Sequence, residues 1–111
     1  MKEGAMAWSW LFLAGLCEVA WAYGLKLSNG FTRPIPSLVT LVGITVSFLL
    51  LSQALKMLPL GIAYAVWTGI GALGGVLVGV WLGGDHLSPW QIGSLGLVLV
   101  GLVGLKLSTA S

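Results

Sequence analysis

Four apolar runs, each close to twenty residues long, leave this 111-residue chain few ways to fold. They cover residues 8–26, 35–55, 61–82 and 87–106, and each matches the ~20 residues that carry an α-helix across a ~30 Å hydrocarbon core. Composition removes the soluble alternative, because 58% of the residues are hydrophobic and only 7% are charged. Soluble domains carry roughly a quarter charged residues, and a chain this short has proportionally more surface to cover with them. Turn chemistry separates the runs: Ser28-Asn29-Gly30 with Pro34 and Pro36, then Lys56 to Gly61 with Pro59, then Gly83-Gly84-Asp85-His86 with Pro89. Connections this short join antiparallel neighbours. The expected fold is an all-α membrane protein, one domain over residues 1–111 with four transmembrane helices. Trp8, Trp10, Trp81 and Trp90 fall near span ends, where an indole suits the headgroup layer.

Charge narrows the partners. The net charge of +2 comes from basic residues scattered singly, so nothing in the chain can track a phosphate backbone and nucleic acid is excluded as a partner. One cysteine, Cys17, allows neither an intrachain disulfide nor a multi-cysteine metal site, and it reads as a small packing residue. His86, the single histidine, sits beside Asp85 in a loop and reads as solvated; no pairing of nucleophile and base suggests an enzyme, and no cofactor or metal is expected. Lys2 ahead of the first run, with Ala20-Trp21-Ala22 imitating a cleavage site, also permits a signal-peptide reading. Glu18 inside the run, with no soluble domain after it, argues against that reading.

Lys2, Lys56 and Lys106 lie on one side of the membrane and Lys26 and Arg33 on the other. So small a bias permits insertion both ways, and hence an antiparallel dimer, although a single weakly biased orientation satisfies the same count. On the fourth span Gly93, Ser94, Gly101 and Gly104 fall on one face. Small residues there let two helices approach closely in lipid, either between chains or within one.

Seven of the charged residues lie in loops, at termini or at span ends; Glu18 alone sits deep in a span, about 15 Å from Trp8. An intramembrane carboxylate costs at least a few kcal/mol and is a functional site by default. No lysine or arginine lies at its depth, so it is protonated, paired with a cation that comes and goes, or both in turn. A permanently protonated structural Glu is the bland alternative. Ala14, Gly15 and Ala22 leave room on its helix face, and Trp21 at i+3 adds an aromatic surface and an indole donor. Ser47 sits near the middle of the second span, with Thr40 and Gly43 on its face; Tyr64, Trp67, Thr68 and Gly71 share a face of the third. Aromatic faces attract cations, while ordinary interhelical packing explains Tyr64 and Trp67 as well. Gly69, Gly71, Gly74 and Gly75 weaken the third helix and mark a candidate hinge at Gly69 and Gly71.

From about Trp8 to Ser108 the chain resembles the small multidrug resistance transporters, and within them the guanidinium exporters. The resemblance rests on Gly15-Leu-Cys-Glu18-Val-Ala-Trp21-Ala22, Lys26-Leu-Ser-Asn-Gly-Phe-Thr-Arg33, Leu58-Pro-Leu-Gly-Ile-Ala-Tyr-Ala-Val-Trp67-Thr-Gly-Ile-Gly71 and Gly101-Leu-Val-Gly-Leu-Lys106. It implies a bacterial inner-membrane protein working as an antiparallel homodimer, in which two copies of Glu18 form one site used alternately by protons and a cation. Trp21, Ser47 and Lys106 look like the guanidinium subtype. The segment Met1 to Met6 departs from the compact family start, which Met6 would match; Lys2 and Glu3 have no counterpart role.

The chemistry fits that subtype, since a planar guanidinium presents paired N–H groups to a carboxylate and a quaternary ammonium presents none. Ser47, Trp21 and Tyr64 would hold the carboxylates in place, and proton and substrate would compete for them. A quaternary ammonium or broader cation exporter remains the near alternative, and a non-transporting membrane adaptor, which has no evident need for Glu18, the distant one.

Overall fold

The computed structural model describes residues 2–109, with side chains from residue 5 on. It contains four helices joined by short loops: α1 (Lys2–Leu27), α2 (Pro34–Ala54), α3 (Leu60–Trp81) and α4 (Pro89–Ser108). All four are long and apolar enough to cross a membrane. Three of them begin and end within two residues of the apolar runs. α1 instead starts six residues before the run at residue 8, because hydropathy marks the membrane crossing and not the helix. Ala5, Met6 and Ala7 are strong helix formers and carry the backbone ladder beyond the apolar core. The side chains of Lys2 and Glu3 lie outside the described residues.

Local chemistry sets the helix ends. Pro34 and Pro89 open α2 and α4 at the first turn, where a missing N–H costs nothing. At Ser88 a capping box closes in both directions: its hydroxyl accepts from the Gln91 amide at 3.2 Å, and the Gln91 side-chain oxygen accepts from the Ser88 amide at 2.8 Å. Between α1 and α2, Asn29, Gly30 and Phe31 all take left-handed backbone conformations, with φ of 50°, 72° and 67°. For Phe31 this costs roughly 1–2 kcal/mol. The buried Ser28 holds the turn, donating to the Leu25 carbonyl at 2.7 Å and accepting from the Phe31 amide at 3.1 Å.

α1 is the hub: it packs against α2 along most of its length and against α3 beyond, while α4 touches only α3 along its backbone. The buried stripe of α1 is Ala7, Leu11 and Ala14. Continuing the same alternation of four and three residues leads to Glu18, so the pattern that buries the helix also turns its carboxylate inward. α2 answers with small buried residues seven apart, Thr40, Ser47 and Ala54. α3 contributes Ala63, Val66 and Trp67, and α4 buries no residue at all. The chain is a slab, 43 × 35 × 18 Å across its Cα atoms, sheathed in exposed Leu, Val, Ile and Phe as a lipid-facing surface requires. Trp81 and Trp90 point outward at their helix ends, Trp90 being 87% exposed. Trp8 and Trp10 are instead packed against the small core.

Candidate functional site

Glu18 lies two positions past the middle of the Ala5–Leu27 span. Its carboxyl group rests directly against the backbone of α3 at Gly71: a Cβ placed there would come within 2.7 Å of the Glu18 carboxyl carbon and 2.8 Å of Oε1. Only a residue without a side chain allows this approach. Trp21, one turn further along α1, fits against Gly43 of α2, where a Cβ would meet the Trp21 Cβ at 2.5 Å. Both neighbouring helices thus offer a glycine to a large side chain of α1.

Two polar atoms in this region are buried without a hydrogen-bond partner in the chain, Glu18 Oε2 and the indole nitrogen Trp21 Nε1. A buried unpaired polar group costs about 1–3 kcal/mol, more when charged. One is an acceptor and the other a donor, three positions apart on one helix face. The pair is suited to a ligand that donates to the carboxylate and presents a flat surface to an aromatic ring, or to a proton taken up by the carboxylate itself.

Ser47 differs from the sequence expectation. Its hydroxyl does not donate to the Glu18 carboxyl within the chain: it donates to the Ala14 carbonyl at 2.8 Å and accepts from Trp67 Nε1 at 3.0 Å. Ala14 is one turn before Glu18, and its carbonyl is the one that accepts the Glu18 amide in the α-helical ladder. An indole from α3, a hydroxyl from α2 and a carbonyl from α1 therefore join at the turn that carries the acid. Both side chains are buried, so Ser47 fixes the backbone beneath Glu18. The physical reason is priority: a buried indole and a hydroxyl must each find a partner, and together they satisfy one another and a main-chain oxygen.

Trp67 is flanked by two further rings, Phe48 at 5.6 Å in an edge-on arrangement and Tyr64 at 5.8 Å, tilted. Tyr64 is 55% exposed and stands two helical turns from Gly71; its hydroxyl does not hold Glu18 within one chain. Gly15 lies against Ile70 and belongs to the packing beside Glu18. α3 runs unbroken through Gly69 and Gly71 in this conformation; Gly69 receives Leu102 of α4 as Gly71 receives Glu18. Gly93, Gly101 and Gly104 have open space around them, and Ser94 donates to the Trp90 carbonyl of its own helix. Phe48 and the Ala14 carbonyl were not among the sequence candidates; the position of Phe48 next to Ser47 was the one available signal. No group of three or more His, Cys, Asp or Glu gathers among the described residues.

Fold and site together define a small multi-pass membrane protein built around a single mid-span carboxylate. Residues 6–106 match the family described as Small Multidrug Resistance protein. A guanidinium exporter of Citrobacter freundii is 53% identical over 104 residues, 94% of this chain and 99% of that protein. A guanidinium exporter of Escherichia coli K12 is 51% identical over 104 residues, with the same coverage. The chain belongs to the small multidrug resistance family of transporters.

Two predictions follow from the geometry at Glu18. Ser47→Ala is expected to cost about 1–3 kcal/mol of stability by orphaning the Trp67 indole, and Trp67→Phe is expected to cost less, because Ser47 keeps its bond to Ala14. Since both remove one shared bond, the double variant should fall short of additivity by roughly 0.5 kcal/mol or more in detergent unfolding titrations; strict additivity would mean the tie is not formed. Gly71→Ala is expected to displace the Glu18 carboxyl and reduce transport by roughly tenfold or more. Gly75→Ala, on the same helix with no neighbour within 4 Å, should transport at close to the wild-type rate in the same proteoliposomes.

Proposed function

We propose that this chain exports guanidinium and small substituted guanidinium cations in exchange for protons, as an antiparallel homodimer in the bacterial inner membrane. The observation that carries the reading is the Glu18 carboxyl itself: mid-span, against Gly71, with one oxygen buried and unpaired, three positions before the likewise unpaired Trp21 indole on α1. The five lysines and arginines all lie near span ends or in loops, so a mobile cation or a proton is what remains to neutralise it. A guanidinium ion brings coplanar N–H donors that pair with both carboxylate oxygens, which a quaternary ammonium cannot do. Its flat face suits the rings of Trp21, Trp67 and Tyr64. The relatives' names point the same way.

Coupling follows from occupancy. A carboxylate that holds a proton offers no charge to guanidinium, and one that holds guanidinium is blocked to the proton, so each ligand displaces the other. Transport requires that only the loaded site change its exposure from one side to the other, Gly69 and Gly71 serving as hinge. The dimer is supported by α4. Nine positions separate Gly93 from Leu102 and two separate Leu102 from Gly104, so both glycines lie on the side of α4 away from the Leu102 contact with α3, with Ser94 and Gly101 on its flank. Its glycines are not used in packing within the chain, which leaves them free to receive a second α4.

Glu18→Gln is expected to abolish proton-driven guanidinium flux in proteoliposomes while the dimer stays assembled. In the wild type, apparent guanidinium affinity should weaken as pH falls through the titration of Glu18, and saturating guanidinium should acidify a weakly buffered sample. Flux surviving in Glu18→Gln, or affinity independent of pH from about 5 to 9, would overturn the shared site. For the assembly, Gly101→Leu and Gly104→Leu should each weaken dimerisation roughly tenfold in dilution-dependent crosslinking, with the helix content of each chain unchanged. Undiminished crosslinking in both would remove α4 from the interface.

A further inference from the structure

A second feature lies outside the carboxylate site. Between α1, α3 and α4 runs a groove of about 470 Å³ whose walls are carbon: Phe12, Val66, Ile70, Leu73, Leu102 and Val103. Phe12 lies about a third of the way round α1 from Glu18. The groove's lining includes two polar groups, Trp8 and Lys106, and they stand together: the Lys106 ammonium sits 4.9 Å over the centre of the Trp8 ring. Trp8 is three residues inside the Ala5–Leu27 span and Lys106 two residues before the end of the Pro89–Ser108 span, which places both at headgroup level on the same side of the bilayer. Trp8 Nε1 is buried and has no hydrogen-bond partner in the chain. From that end the groove continues past Leu99, two helical turns deeper along α4.

We propose that this groove is a binding site for one anionic phospholipid, with an acyl chain laid between α3 and α4 and the phosphate held by Lys106. The order of groups matches such a lipid from head to tail: a fixed cation held over an indole ring at the interface, then only carbon inward. An acyl chain alone needs the walls but neither polar group. A zwitterionic headgroup carries its own cation, which Lys106 repels. A net-negative headgroup is attracted by Lys106. The site would bind its lipid whichever cation is transported, and it gives Lys106 a function apart from the carboxylates.

The test is native mass spectrometry of the full-length protein, released from micelles containing phosphatidylglycerol and phosphatidylcholine with identical acyl chains. The wild type should retain phosphatidylglycerol over phosphatidylcholine by about fivefold, the effect of one lysine at an anionic surface. Lys106→Gln should bring that ratio close to one, Lys106→Arg should keep it, and Val103→Trp should lower retention of both lipids by filling the groove. Equal retention by the wild type would overturn the proposal, as would a preference that survives Lys106→Gln. So would lipid retained by monomers and lost in dimers, since a second copy would then cover the groove. If Val103→Trp does not fold, the Lys106→Gln and Lys106→Arg pair decides the question alone.

Discussion

A carboxylate in hydrocarbon has no water to turn to, and the placement of Glu18 governs how the other helices are arranged around it. Its cost, several kcal/mol if charged and unpaired, exceeds what any single packing contact in this small core returns. α1 therefore occupies the centre, with α2 and α3 on either side of the acid, and the buried stripe through Ala7, Leu11 and Ala14 aims Glu18 between them. The neighbours do not neutralise it. They hold the turn beneath it through Trp67, Ser47 and the Ala14 carbonyl, and leave one of its oxygens unpaired.

Helix packing and the candidate site use the same contacts here. Without a hydrophobic driving force between helices in lipid, close van der Waals fit and buried hydrogen bonds hold the bundle. At Gly43 and Gly71 the two neighbouring backbones reach the side chains of Trp21 and Glu18, so the surfaces that hold the helices together also form the walls of the candidate site. The Trp67–Ser47–Ala14 tie joins three helices at the depth of the acid, and it is the one place where α2, with little direct packing on α3, is linked to it by a buried bond.

Much of this was legible in the sequence because the membrane imposes coarse rules. Helix number and approximate ends follow from hydropathy and from the proline and glycine breaks, and Glu18 stands out because no other charge lies at its depth. What could not be read is which partner a polar side chain takes when several are in reach. Ser47 lies at the depth of Glu18 and was expected to serve the carboxylate; three-dimensional packing gives it a carbonyl and an indole first. In one dimension Gly69 and Gly71 suggest a hinge because glycine weakens helices. The structure shows a second reason for them, steric and invisible in one dimension: Leu102 and the Glu18 carboxyl occupy the space a side chain would take. The early start of α1 at Lys2 was missed because membrane hydropathy measures lipid contact, and a helix can outrun its apolar core.

The loose attachment of α4 then has a physical explanation. A helix that buries nothing fully in its own chain gains little from folding onto α3 beyond the Leu102 contact at Gly69 and the packing of Leu105. It keeps a nearly complete apolar surface, with glycines on one side and the Trp8–Lys106 groove on another. Each of these surfaces has a different complement: the glycines fit a second backbone at close range, and the groove fits a flexible chain with a charged end. On the proposed reading, α4 joins protomers on its glycine face and holds lipid on its groove face. α1 to α3 are thereby left free to rearrange around Glu18, and a helix fixed instead into the protomer core would tie the assembly contact to the part of the molecule that must move.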